Sequence, residues 1–212
     1  MDNISVIIRN KNEERYIGYA IQSVLDVFDK PEIIVVDNNS VDDSMNIVNT
    51  FDFENIKTYT IDSYTPGKSI NFGVSKCSND YILVLSAHSQ IINCQFRKIK
   101  GLLDEYCVVG GKQIPIYKGK KITPRYVWSN FEEHDIINQC STSENRYFLH
   151  NAFTFYTKQT LIEYPFNENL STKEDRYWIN ERINEGMDSY YDSNTICHHH
   201  YTDNGATWKG IG

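Results

Sequence analysis

The sequence predicts an α/β domain built on an open, mostly parallel sheet with helices on both faces. Three observations predict it. The runs Ile4–Arg9, Glu32–Val36 and Tyr81–Leu85 are almost entirely apolar, as strands buried on both faces of a parallel sheet are. Ile17, Ile21, Val24, Leu25 and Phe28, and then Val41, Met45 and Val48, recur at helical spacing after the first and second runs, which gives the strand–helix alternation of a doubly wound sheet. Each run then stops at small, amide or acidic side chains, and in open α/β sheets ligands bind beyond the carboxyl ends of the strands.

At 212 residues the chain suffices for one domain with its own core. Its five cysteines, Cys77, Cys94, Cys107, Cys140 and Cys197, are odd in number and form no Cys-x-x-Cys pair, which predicts packing residues in a reducing compartment. No basic segment leads into an apolar one at the N-terminus and no run approaches membrane length. The expected setting is therefore cytoplasmic, without an integral membrane segment. A net charge of −7 argues against a nucleic-acid surface. It leaves room for a nucleotide, which needs only local positive charge or a metal.

Ile4–Arg9 runs into Asn10-Lys11-Asn12-Glu13-Glu14, and a helix is predicted over Glu14–Phe28 with acidic residues at its start, where the dipole favours them. Pro31 closes that unit. Glu32–Val36 runs into Asp37-Asn38-Asn39-Ser40, and Ser40 with Asp43 fits a capping box for the next helix. Neither strand is followed by a phosphate-loop or dinucleotide glycine signature. Asp37 instead stands at a strand end, where a carboxylate can accept from a base N–H or a ribose hydroxyl; the alternative is a turn residue. Arg9 and Asp37 are expected to flank one cleft. Lys68 follows the Pro66-Gly67 turn at a helix start, poorly placed for the dipole, so it is either solvated or held for an anion. Tyr81–Leu85 ends in Ser86-Ala87-His88-Ser89. This is a turn or a site, and His88 sits where a site should be.

The series SVIIRNKNEE, IIVVDNNSVDDS, YTPGKSINFG and YILVLSAHS, in this order, resembles the nucleotide-binding half of family-2 glycosyltransferases of the GT-A fold. HNAFTFYTKQTLIEYPFNE resembles the segment where their acceptor side begins. KEDRYWINERINEGMDSYYDSNTICHHH resembles their Glu-Asp motif, its helix and the closing histidine. Ser86-Ala87-His88, the Gly111–Pro115 string and the His-x-His ending are similar to bacterial polysaccharide transferases of the rhamnosyltransferase-like type. The resemblance covers nearly the whole chain. It implies a single GT-A domain, with 1–90 as the nucleotide-binding half and 91–212 as the acceptor-side half ending in a lid segment. It also implies donor contacts at Arg9, Asn10, Glu13, Asp37, Asn39, Lys68, Ser86 and His88, and acceptor contacts at Glu174, Trp178 and Asn151.

One departure stands out. The family places Asp-x-Asp after the third of these strands, where the last aspartate holds a divalent metal on the donor's phosphates; here Ser86 and His88 take those places. Serine lacks the charge that Mg²⁺ favours, whereas imidazole can ligate Mn²⁺. Related enzymes with Asp-x-His bind manganese through the histidine. The resemblance thus implies a divalent cation, Mn²⁺ in preference to Mg²⁺, held by His88 and His198.

In the second half, Phe96, Ile99, Leu102 and Leu103 predict a helix within Cys94–Leu103, and Tyr106–Val109 a strand ending in Gly110-Gly111. From about residue 118 to 146 no period persists; Trp128, Phe131 and His134 lie in a long loop or short helices, stacking on a sugar or anchoring the loop. Ser171 and Glu174 fit a capping box. Asp175 shares a helix face with Trp178, Ile179 and Arg182, the apolar face that should point inward. A carboxylate kept ionised at a helix start meets the requirement for a general base, and the resemblance places the family's base at Asp175. A plain helix-start acid is the alternative. A strand is predicted at Ser189–Tyr191, and if Ile196–Tyr201 is extended, His198 and His200 share one face and His199 the other; the resemblance favours His198. Asp203–Gly212, with Trp208 and Lys209, resembles the start of a lid over the donor, and the family pattern continues past Gly212.

The function expected is inverting transfer of a sugar from a nucleotide diphosphate to a hydroxyl of a glycan or lipid-linked acceptor. Surface polysaccharide synthesis at the inner face of the membrane is the expected context. A cation, or His88 with Lys68 and Lys209, would neutralise the departing nucleoside diphosphate. A sugar nucleotidylyltransferase would need a Gly-rich, Arg-bearing loop after the first strand, which Arg9–Glu14 does not supply. A GT-A-fold protein that only binds nucleotide or glycan is the non-enzyme alternative, and Ser86 is its support.

Overall fold

The computed structural model describes residues 2–121, 126–203 and 205. The first half follows the predicted alternation: β1 (Ile4–Asn10), α1 (Ile17–Val27), β2 (Glu32–Asp37), α2 (Ser44–Asn49), β3 (Ile56–Thr60), α3 (Pro66–Lys76) and β4 (Tyr81–Ser86). A tight turn at Ala87-His88 leads into β5 (Ser89–Asn93), followed by α4 (Phe96–Leu103) and β6 (Val108–Tyr117). Short pieces come next: β7 (Lys120–Lys121), a 3₁₀ turn at Tyr126–Asn130, β8 (Ile136–Ile137), β9 (Cys140–Ser141) and β10 (Arg146–Tyr147). The chain closes with β11 (Phe153–Thr157), α5 (Lys158–Glu163), α6 (Glu174–Asn184) and β12 (Ser189–His200).

The sheet order is β3-β2-β1-β4-β11-β6-β12-β5. β1 to β4 are parallel to one another, with β1 between β2 and β4. After β3 the chain crosses back to lay β4 on the free side of β1. The β1–β4 boundary is therefore a topological switch point, which opens a crevice at the strands' carboxyl ends. β11 joins antiparallel to β4 and β6, while β12 runs parallel to β6.

Both faces are covered. Val6 and Ile8 of β1 pack in one cluster with Ile21 and Val24 of α1, Val48 of α2 and Ile99 of α4. Ile7 points the other way, to Ile70 of α3, Leu161 of α5 and Trp178 and Ile179 of α6. That two-sided burial is why these strands read as unbroken apolar runs. Trp128 is 1% exposed and meets the His199 ring edge-on at 5.0 Å, so it anchors the long loop. Among the described residues no helix is long and apolar enough to cross a membrane.

Several boundaries differ from expectation for local reasons. α1 starts at Ile17 because Glu14 is drawn away, its carboxylate accepting from the backbone N–H of Asp43 at 3.0 Å. Ser40 does not cap α2; its hydroxyl donates to Asp37 Oδ1 at 2.6 Å and the helix begins at Ser44. Lys173 adopts a left-handed conformation (φ 61°) and α6 begins directly after it, so Glu174 is the first helical residue and not the third of a capping box. β6 continues through Gly110-Gly111. A Cβ at Gly111 would lie 2.5 Å from the Phe153 ring, which fixes glycine opposite the bulge of β12.

Candidate active site

Beyond the carboxyl ends of β1 and β4 lies a cleft of about 600 Å³. One side is lined by Arg9, Asn10, Lys11 and Glu13, with Ser86 and His88 beside them; the other by His150, Asn151, Ala152 and residues 171–176 at the start of α6. Tyr64 and Glu144 also border it. The strand ends and the Glu-Asp segment, far apart in sequence, thus face one space.

Asn151 joins the two sides. Its carbonyl accepts from Arg9 Nη2 (2.8 Å), its backbone N–H donates to Asp175 Oδ2 (3.0 Å) and its side-chain N–H lies 3.4 Å from Glu174 Oε1. Its Oδ1 accepts from the buried Tyr156 hydroxyl. With every polar group engaged and 1% exposure, Asn151 holds the walls together, and the expected acceptor contact through it gives way to a positioning role. Trp178 is corrected likewise: it is 2% exposed in the core, and its indole N–H donates to the Tyr164 carbonyl at 2.7 Å. The inward face of α6 that carries it was legible; its depth was not.

The two carboxylates of the pair differ sharply. Asp175 accepts from the backbone N–H of Arg176 (2.8 Å), from the N–H of Asn151 and from Arg176 Nη1 (2.8 Å). Burial opposes its charge, but Arg176 and these donors outweigh it, and its pKa falls below the ordinary value. Glu174 meets Arg9 Nη1 only at 3.5 Å. Burial and the adjacent Asp175 charge prevail over Arg9, and its carboxyl is pushed up to about 7. His150 is driven down to about 3 by burial and by Arg176, so a neutral imidazole stands beside the pair. Glu144, 1% exposed at its side chain, lies among Arg146 (3.1 Å), Lys173 (3.4 Å) and Arg176 (3.5 Å).

The expected donor residues divide into two groups. Arg9, Asn10, Glu13, Ser86 and His88 line the cleft. Asp37 does not: its two oxygens accept from the Ser40 hydroxyl and N–H and from Asn10 Nδ2, so it stands behind Asn10 as a turn residue. The expectation that Arg9 and Asp37 flank one cleft is corrected accordingly. Asn39 donates to the Ile61 carbonyl at 3.1 Å from a left-handed backbone (φ 52°). Lys68 points to the Ser63 hydroxyl, with its backbone N–H on the Thr65 cap at 3.2 Å. Lys209 and Trp208 lie outside the described residues.

The histidines correct the metal expectation. β12 turns His199, not His198, towards His88, with their Nε2 atoms 2.9 Å apart; His198 lies instead near the His200 ring, at 6.2 Å. Gln113 Nε2 donates to the His150 carbonyl at 3.0 Å, so its Oε1, 2.9 Å from His199 Nδ1, must accept. His199 is wholly buried and its pKa lies well below the ordinary value, chiefly through desolvation. It is therefore neutral with Nδ1 protonated, and its bare Nε2 accepts from His88 Nε2–H. His88 Nδ1 faces Glu13 Oε1 at 3.1 Å. A ring whose Nε2 carries a proton and whose Nδ1 is turned to a carboxylate has no lone pair aimed at the cleft. The pair His88 and His198 does not fit a divalent ion, and among the described residues no group of three or more His, Cys, Asp or Glu side chains is placed to hold one.

Gln113 lies within the Gly111–Pro115 string, so a sequence signal for it existed. Lys11 and Arg176 adjoin motif residues without bearing a signal of their own, and Glu144 lies in a stretch with no period. Nothing in the sequence ties Glu144 to the site.

The sheet with its switch point and the paired carboxylates across the cleft make an α/β domain with a candidate active site at the sheet's carboxyl edge. The sequence profile of glycosyl transferase family 2 matches residues 5–165. The chain belongs to that family. Among its relatives are a glycosyltransferase of Rickettsia prowazekii (29% identical over 85% of this chain and 59% of that protein) and the minor teichoic acid biosynthesis protein GgaA of Bacillus subtilis (26% over 84% and 43%). Another is the GalNAc(5)-diNAcBac-PP-undecaprenol β-1,3-glucosyltransferase of Campylobacter jejuni (25% over 85% and 60%). The chain spans between 43% and 60% of the length of these three relatives. The crystal structure of S. aureus TarS 1–349 in complex with UDP-GlcNAc shares the fold, with TM-score 0.72 and 20% identity over 99% of this chain and 61% of that one.

Proposed function

We propose that the chain is an inverting glycosyltransferase that moves a sugar from a nucleotide diphosphate to a hydroxyl of a glycan or lipid-linked acceptor. The observation that carries this reading is the Glu174–Asp175 pair standing across one cleft from the ends of β1 and β4. The nucleoside diphosphate lies over those strand ends, against Asn10, Lys11, Glu13, Ser86 and His88, with the turns at Asp37 and Asn39 and the start of α3 at Lys68 shaping the same edge. The acceptor enters from the α6 side. The carboxylate pair removes its proton as its oxygen attacks the anomeric carbon, and the bond to the diphosphate breaks with the electron pair leaving on phosphate. The resemblance assigns that base to Asp175.

The relatives named for teichoic acid and for an undecaprenol-linked substrate support a surface-glycan acceptor, and hence action at the inner face of the membrane. Calorimetry with UDP, GDP and dTDP tests the donor half of this reading. Binding of at least one, weakened more than tenfold in Lys11→Ala, is the expected outcome. No binding by any of them would remove the donor site from the cleft.

A further inference from the structure

A nucleoside diphosphate brings a flat aromatic base as well as charge, and bases bind proteins by stacking on side-chain rings. We infer that Tyr64 supplies that ring and is the stacking platform for the nucleobase of the donor. This inference deepens the proposed transfer reaction and rests on it.

The direction in which the donor lies follows from the sheet. Its strands run in the order β3-β2-β1-β4-β11, and the carboxylates of α6 lie against Asn151, just before β11. The sugar to be transferred must lie beside those carboxylates. The diphosphate and then the nucleoside therefore extend the other way, over the ends of β4, β1 and β2. At that end the cleft is bordered by Asn38, which follows β2, and by Tyr64 and Pro66 on either side of Thr65, the cap of α3. Ile70 of that helix packs in one cluster with Ile7 of β1 and Ile34 of β2.

The ring is both available and held in place. Tyr64 is 43% exposed and borders the cleft. Burial opposes the charge of Arg9, and the groups that offset it are Tyr64 first, then Glu174 and Asp175. The phenol oxygen is thus turned towards Arg9, with the rest of the ring beside the open space. Thr65, next in the chain, is fixed from two sides: its hydroxyl accepts from the Lys68 N–H at 3.2 Å and donates to the Glu168 carbonyl at 2.8 Å.

The other rings bordering the cleft are occupied. His88 has both ring nitrogens engaged, by Glu13 and His199. His150 is enclosed by Trp128, Phe131 and Phe148. At the end of β2, Asp37 is taken up by Ser40 and Asn10, and Asn39 by the Ile61 carbonyl. Among the described residues, the ring these contacts leave for a base is that of Tyr64.

Two measurements test the assignment, both with UDP, GDP and dTDP as ligands. Base–aromatic stacking lost to alanine corresponds to a factor of roughly 5 to 150 in affinity, so calorimetry is expected to show that loss in Tyr64→Ala for each nucleotide the wild type binds, and Tyr64→Phe is expected to stay within about threefold. The second measurement locates the ring. In protein deuterated except for its tyrosine rings, saturating the ring protons is expected to transfer magnetisation to the base protons of the bound nucleotide. That transfer is expected to vanish in Tyr64→Phe, which keeps the platform but not the protonated tyrosine. Undiminished affinity in Tyr64→Ala, no transfer in the wild type, or transfer that persists in Tyr64→Phe overturns the inference and leaves the donor site standing. A wild-type protein that binds none of the three nucleotides overturns the donor site itself.

Discussion

Glu174 and Asp175 are consecutive residues at one helix start, equally buried, and chemically unlike. Their difference has a consequence for stability. Folding raises the Glu174 carboxyl from 4.5 to about 7, so the folded state binds that proton more tightly than the unfolded chain does. The associated stability is fully present below about pH 4.5 and is lost as pH rises through about 7. Glu174→Gln cannot ionise. Its stability relative to wild type is expected to climb between pH 5 and 8 towards roughly 3 kcal/mol, at about 1.4 kcal/mol per pKa unit. Urea melts at the two pH values check this; an offset that does not change with pH would contradict a raised Glu174. Asn151→Ala should lower stability by about 1–3 kcal/mol at any pH, since the buried Tyr156 hydroxyl loses its acceptor. A melt within 0.5 kcal/mol of wild type, roughly the spread of a surface substitution, would show that Asn151 does not join the walls. At this scale the sequence is informative about which residues meet and silent about how they share protons. The Glu-Asp motif located the pair. The donors that distinguish its members come from Arg176 and from a backbone N–H of residue 151, and no spacing rule reaches across that gap.

Among the elements, β12 shows where reading by period stops. Alternation places His198 and His200 on one face and His199 on the other, and the strand obeys it. Which face meets His88 depends on register, and the pairing of β12 with β6 shifts between Asp192 and Ile196. A bulge of that kind resets every side chain after it, so the inward histidine is His199. His199→Ala is expected to cost about 1–3 kcal/mol, as His88 and Gln113 each lose a buried partner. His198→Ala should stay within about 0.5 kcal/mol. Equal losses in chemical denaturation would reverse the facing. The same register bears on metals. Mn²⁺ titrated calorimetrically into the nucleotide-free protein should find no site that depends on His198; micromolar binding abolished by His198→Ala would restore the expected pair. In the first half, by contrast, the parallel strands and their helices were legible, because burial on both faces leaves an unbroken apolar run. The helix starts at Ile17, Ser44 and Glu174 were less so, since side chains at Glu14, Ser40 and Lys173 answer to partners or backbone strain elsewhere.

For the whole molecule, the sheet order places the cleft. Reversal of strand addition at the β1–β4 boundary opens the sheet's carboxyl edge, and the second half returns through β11 to bring the start of α6 over it. The protein carries −7 overall, and along this cleft Arg9, Lys11, Lys173 and Arg176 stand among Glu13, Glu144, Glu174 and Asp175. The central claim is that sugar transfer occurs here with inversion at the anomeric carbon. The direct measurement is ¹H NMR of the sugar first released or transferred when the protein is incubated with an α-linked nucleotide-sugar it binds. A β-configured product at early times, and its loss in Asp175→Asn, are expected. An α-configured product, or equal release by the variant, would contradict inverting transfer at this cleft.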